Sequence, residues 1–236
     1  MGLPISVLAR GERAATQEAQ YAVAAVYAEL TEVDARFSPY REDSEVSRLA
    51  RGELLLEDCH PEVRQVVALC EHYRELTGGL FDATCPDGRW DPSGLVKGWA
   101  VERAARHLSA VPDLDWCLNA GGDVVVLCPS GEPFNVGVQD PFDPSRVAVV
   151  VACLAGAVAT SGTAARGEHL YDPRAGTAAV GAASVTVVGP SLEMADVLAT
   201  AAFVGGLDVV AHVPGYEALC IGLDGQHAST PEWAAH

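Results

Sequence analysis

The chain holds 236 residues, 49% of them hydrophobic and 20% charged, so it has the apolar material for one large domain or two intimately packed lobes. That composition excludes disordered, collagenous and disulfide-miniprotein classes. Thirty-two Asp and Glu against 15 Lys and Arg leave a net charge of −17, which argues against a nucleic-acid backbone or an anionic membrane as partner.

Taken in chain order, residues 3–10 read as a strand. Residues 13–33 read as a long amphipathic helix, with Tyr21, Ala24, Ala25 and Ala28 on its apolar side. FSPYREDSEVSRL follows as a loop entering a short helix. Residues 60–77 predict a second helix stopped by Gly78-Gly79, and 80–93 a loop or short strand rich in Asp, Pro and Gly. A third helix is predicted over 94–108. Short β-like runs come next at 115–120, 123–127, 134–138, 147–153 and 157–160, then at 184–188. Gly189-Pro190 leads into a last helix over 191–204, and 218–223 reads as the closing strand. Helices in front and a meander of strands behind predict an α+β fold with an antiparallel sheet.

No uninterrupted apolar run reaches the roughly eighteen residues that span a bilayer, and the N-terminus shows neither a basic n-region nor a cleavage pattern. Seven cysteines, without CxxC spacing, sit mostly inside apolar runs, as free buried thiols in a reducing compartment do. These features predict a cytoplasmic protein.

Four clusters stand out chemically. DPSGLVKGWAVE, from Asp91 to Glu102, is a Gly-bearing loop opening into a helix, where free backbone N–H groups and the helix dipole suit a phosphate. Lys97, the only lysine of the chain, stands near its start; a capped helix with a solvated lysine reads equally well. Asn119-Ala-Gly-Gly-Asp123 is either a tight turn or a place where a ligand approaches the backbone. ATSG, ending at Gly162, precedes GEHLYDP, in which Asp172 follows His169 closely enough to orient its imidazole. On the last helix Asp196 and Thr200 are one turn apart and point to the same side, half of a hard-cation site, or an Asp near the helix start and a Thr bonded back to a carbonyl.

Together, MGLPISV, FSPYREDSEVSRL, TGGLFDA, DPSGLVKGWAVE, NAGGDV, ATSG with GEHLYDP, and ADVLATAAFVGG resemble, in order and over nearly the whole chain, the FAD:protein FMN transferase (ApbE) family. The resemblance implies a T-fold-like ApbE architecture filling residues 1–236 as one domain. It implies an enzyme that uses FAD and Mg2+ (Mn2+ or Ca2+ being chemically admissible) to attach FMN to a threonine of a target protein, releasing AMP. By the same likeness Asp196 and Thr200 are side-chain metal ligands, and the Gly94 carbonyl is a third. Met1, Tyr40, Leu80, Phe81, Asp82, Asp91, Lys97 and Tyr171 fall where the family contacts the flavin nucleotide. His169 falls where a general base for the target hydroxyl is expected, and the target threonine lies in a D-x-x-[ST]-x-A-T-like segment.

Three departures qualify the likeness. Phe81-Asp82 lies unusually close to Asp91, so the adenosine side of the pocket is expected to be trimmed or rebuilt. Many relatives are lipoproteins, whereas this sequence has no lipobox cysteine. Tyr171 replaces an aliphatic residue of the histidine motif, offering a ring for stacking. Two rival readings stay open: a metal-dependent FAD pyrophosphatase giving FMN and AMP, and a non-catalytic FAD-binding module.

Overall fold

The computed structural model describes residues 2–162, 171–179 and 181–233. A seven-stranded antiparallel sheet runs in the order β1 (Ile5–Arg10), β2 (Asp115–Ala120), β3 (Asp123–Leu127), β6 (Ala155–Gly162), β9 (Ser184–Gly189), β10 (Glu217–Ile221) and β11 (His227–Ser229). The mixed helix and antiparallel-sheet architecture agrees with the α+β expectation. The strands do not all form one meander, however. β4 (Phe134–Gln139) and β5 (Val147–Cys153) pair only with each other and lie as a ribbon across one face of the sheet. β7 (Tyr171–Asp172) and β8 (Thr177–Ala178) form a second small ribbon.

Strand alternation decides what each face of the large sheet meets. Val124, Val126, Val158 and Val188 face the ribbon and pack on Phe134, Val136, Val138 and Val151. Ala157, Ala159, Val185 and Val187 point the other way, into the main core beneath the helices. β9 is buried along its whole length, as a central strand covered on both faces must be.

The helices stack outward from that second face. α5 (Leu192–Gly205) lies on β6 and β9, α4 (Ser93–Ser109) packs on α5, and α1 (Gln17–Phe37) packs on α4. α5 is apolar almost all round, which suits a helix enclosed between a sheet and another helix. α1 shows one buried stripe, Ala22, Val26, Leu30, Val33 and Phe37, at helical spacing. Its true start is Gln17 rather than residue 13, because Thr16 Oγ1 accepts the Ala19 N–H and caps the helix there. A short 3-10 turn, Glu12–Ala15, occupies the residues before it. α2 (Glu45–Ala50) is the short helix expected after FSPYRED, and α3 (Pro61–Leu76) begins with proline in its first turn.

The β2–β3 hairpin turns through Gly121 and Gly122, whose φ values of 65° and 103° only glycine adopts freely. Asn119-Ala-Gly-Gly-Asp123 is therefore a tight turn, and Gly121 also borders the cavity described next.

Candidate active site

Where the N-terminus of α4 meets the middle of α5 and the ends of β3 and β6, the surface opens into a cavity of about 800 Å³. Nine of the residues singled out in the sequence line it: Leu80, Phe81, Asp82, Asp91, Gly94, Lys97, Tyr171, Asp196 and Thr200. Tyr40 is 89% exposed and lines an adjoining cavity of about 550 Å³, which shares Gly2, Leu3, Asp91, Ser93 and Lys97 with the first. Met1 and His169 lie outside the described residues.

The centre of the cavity wall is an ion cluster drawn from three elements. Lys97 Nζ on α4 stands 2.5 Å from Asp123 Oδ2 on β3 and 3.2 Å from Asp196 Oδ1 on α5. The remaining oxygen of each carboxylate is held by backbone. Asp123 Oδ1 accepts the Thr160 N–H at 3.0 Å, and Asp196 Oδ2 accepts the Gly98 N–H at 3.2 Å. Gly98 must be glycine here, since a Cβ would stand 2.8 Å from the Leu192 carbonyl oxygen and 3.1 Å from Asp196 Cβ. The close approach of α4 and α5 is thus what brings Asp196 to the lysine.

Electrostatics follow from burial. Asp123 and Asp196 are almost fully buried. Burial pushes the Asp196 carboxyl up to about 7, with the Lys97 ammonium pulling against it and Asp123 adding to it. For Lys97, burial by itself would favour the neutral amine, but the two carboxylates outweigh it and hold the ammonium above its ordinary range.

Beside this cluster Thr200 Oγ1 and Ser161 Oγ lie 3.2 Å apart, both on the cavity wall. Asp196, Thr200 and Ser161 are all hard oxygen donors, the chemistry that suits Mg2+, Mn2+ or Ca2+ rather than a soft metal. The charge balance of the wall points the same way. Asp82, Asp87, Asp91 and Asp196 line the cavity against Arg89 and Lys97, and Arg89 already stands within 3.7 Å of Asp87 and 3.5 Å of Asp91. So acidic a wall favours an added cation beside any anionic ligand. The residues therefore fit a divalent ion.

The loop between Asp82 and Asp91 is short and folded on itself. Asp91 N donates to the Ala83 carbonyl at 2.7 Å, Cys85 N to the Arg89 carbonyl at 2.8 Å, and Gly88 N to the Cys85 carbonyl at 2.8 Å. Tyr171 pins this loop from outside, its hydroxyl donating to the carbonyls of Thr84 at 2.8 Å and Asp82 at 3.2 Å. Asp91 Oδ1 accepts the Ser93 N–H at 3.1 Å and so fixes the start of α4. Asp172, considered in the sequence as a partner for His169, holds Arg174 through both carboxylate oxygens at 3.1 Å.

Asp123, Ser161 and Gly98 are the site residues for which the sequence named no role. NAGGD and ATSG are conspicuous as motifs, but Asp123 reads as part of a turn and Ser161 falls just past the β-like run predicted over 157–160. Only the tertiary pairing of β3 with β6, and of α4 with α5, shows what they face.

The ApbE family model matches residues 1–87 and 85–219. This chain belongs to the ApbE family. Its curated relatives include the FAD:protein FMN transferase of Rhodobacter capsulatus, 32% identical over 173 residues, which are 68% of this chain and 33% of that protein. The FAD:protein FMN transferase of Vibrio cholerae is 27% identical over 169 residues, 66% of this chain and 50% of that protein. The chain thus spans a third to a half of the length of these relatives. Among solved structures, an ApbE protein from Thermotoga maritima superposes with a TM-score of 0.85 at 22% identity, covering 99% of this chain and 96% of that one. The Vibrio cholerae flavin transferase ApbE does so with a TM-score of 0.79 at 20% identity, covering 99% of both chains. At these identities the structures establish a shared ApbE fold.

Proposed function

We propose that the chain transfers FMN from FAD to a threonine hydroxyl of a target protein and releases AMP, with a divalent cation, Mg2+ in the first instance, at Asp196, Thr200 and the Gly94 carbonyl. The observation that carries this reading is the buried Lys97–Asp123–Asp196 cluster set beside hydroxyl donors in an acidic cavity at the N-terminus of α4. Family membership and the activity named for both curated relatives support it. Residues 1–236 are read as one transferase domain; β1 from the start of the chain and β11 from near its end form the two edges of the same sheet. A cytoplasmic setting suits the seven free cysteines, and among the described residues no helix is long and apolar enough to cross a membrane.

Atoms balance as a phosphoryl-group displacement. The threonine oxygen bonds to the phosphorus on the FMN side, the bond from that phosphorus to the bridging oxygen breaks, and AMP departs with the electron pair. His169 takes the hydroxyl proton in this reading, a role carried by the family motif. The cation, when bound, supplies charge neutralisation for the diphosphate and the leaving phosphate. Lys97 contributes a positive charge near the start of α4, where the backbone N–H groups of the first turn add to it. Leu80, Phe81, Asp82, Asp91 and Tyr171 bound the space for the nucleotide, and Tyr40 stands at the rim of the adjoining cavity.

The reading is tested by following AMP formation from FAD and Mg2+ in the presence of a flavin-acceptor domain. Wild-type protein should form AMP, and Asp196→Ala should form none at limiting Mg2+. Normal AMP formation by Asp196→Ala would remove the metal site from the account. FAD left intact by the wild-type protein would favour a binding module instead.

A further inference from the structure

The cavity holds a second piece of information, in the way its charges are closed on one another. Each buried carboxylate has one oxygen tied to a backbone N–H, Asp123 to Thr160 and Asp196 to Gly98. The other oxygen of each faces the same ammonium, at 2.5 and 3.2 Å. A cation reaching Asp196 Oδ1 therefore has to share that oxygen with the Lys97 ammonium, like charge against like, while Lys97 stays where it is. Lys97 is the more movable member: its side chain keeps 22% of its exposure and borders both cavities, whereas the two carboxylates keep 2% and 4%. It rides on a flexible four-carbon stem.

We infer that Lys97 is a gate for the metal site, an internal cation that occupies Asp196 until a diphosphate draws it away, so that metal and FAD load together. This rests on the transfer reading above and names how its site is regulated. The physical reason is charge in a poorly solvated place. A divalent cation arriving alone meets the ammonium on its own ligand, and a diphosphate arriving alone meets two carboxylates with one cation between them. Arriving together, their charges cancel, and the ammonium exchanges a carboxylate for a phosphate oxygen. Linkage then makes the effect reciprocal: FAD raises the affinity for Mg2+ by the same factor as Mg2+ raises the affinity for FAD.

Titration calorimetry of MgCl2 into the protein, with and without FAD, tests this on wild type, Lys97→Met and Arg89→Gln. In the absence of FAD, Lys97→Met should bind Mg2+ about tenfold more tightly than wild type, and its dependence on FAD should shrink correspondingly. Arg89→Gln removes a cation from the same wall without touching Asp123 or Asp196, and should show no such gain. Equal or weaker Mg2+ binding by Lys97→Met without FAD would overturn the gate, as would an equal gain in Arg89→Gln. Should Lys97→Met not fold, the wild-type protein decides alone: its Mg2+ affinity must rise when FAD is present, and indifference to FAD overturns the inference. If no protein binds Mg2+ under any of these conditions, the transfer reading falls too. Metal-dependent turnover with FAD-independent Mg2+ affinity overturns only the gate.

Discussion

At Asp196 two requirements meet in one side chain. It is buried where it holds the α4–α5 contact through Gly98, and the proposed metal site needs it ionised. Burial opposes ionisation, and Lys97 is the nearby charge that offsets it. Thr200, one turn further along α5, needs no such compensation because a hydroxyl is neutral, and it reaches Ser161 across the helix–sheet contact. In the proposed reaction His169 has a different task, that of moving a proton rather than neutralising charge. Its replacement by Ala should lower the transfer rate by about 10²–10⁴-fold while leaving FAD affinity near the wild-type value. Single-turnover AMP release together with a flavin-fluorescence titration separates the two quantities. An unchanged rate would assign the proton to another group.

Among the elements, α5 carries Asp196 and Thr200 and is anchored by polar contacts at its N-terminus. Ser191 caps it by accepting the Met194 N–H, and Glu102 on α4 accepts from both Ser191 Oγ at 2.7 Å and Glu193 N at 2.9 Å. Glu193 in turn accepts the Tyr73 hydroxyl at 2.8 Å. Burial raises the Glu193 carboxyl above its ordinary value, with the Tyr73 hydrogen bond opposing the shift and the Glu102 charge adding to it. A carboxyl raised on folding contributes stability that is fully present below its unfolded value and lost as pH rises through the folded one. Glu193→Gln, neutral throughout, should therefore melt higher than wild type at about pH 8, with the gain shrinking toward about pH 4. Thermal unfolding across that range checks it, and a gain that grows on acidification would reverse the assignment.

The elements were legible to different degrees for physical reasons. The span of β5 and the helical character of α1, α3, α4 and α5 follow from period and capping, which are local properties. The face of α1 does not follow from them: Tyr21, Ala24 and Ala28, expected on its apolar side, are exposed, and the buried stripe is Ala22, Val26, Leu30, Val33 and Phe37. That β4 and β5 leave the main sheet was not legible. Phe134, Val136 and Val138 alternate with exposed residues as any half-buried strand does, and alternation does not say which sheet a strand joins. β11 is three exposed residues, His227–Ser229, too short and polar to give a pattern. In the site, Asp196 with Thr200 was readable because both lie on one helix face. The meeting of Lys97 with Asp123 was not, since it depends on α4, β3 and α5 arriving at one point.

For the whole molecule, a surface with a net charge of −17 encloses a cavity whose own wall is acidic, yet the fold brings its only lysine and a helix N-terminus there. Helices on one face of the sheet and the β4–β5 ribbon on the other leave the end of β6 and the β2–β3 turn free to border that cavity. The arrangement suits the proposed substrate, which brings an anionic diphosphate together with a cation. The most direct measurement is the intact mass of an acceptor domain carrying a D-x-x-[ST]-x-A-T-like segment, after incubation with this protein, FAD and Mg2+. The account predicts a gain of one FMN on the acceptor threonine, with AMP formed in equal amount. AMP accompanied by free FMN, with the acceptor mass unchanged, would contradict it and identify a pyrophosphatase.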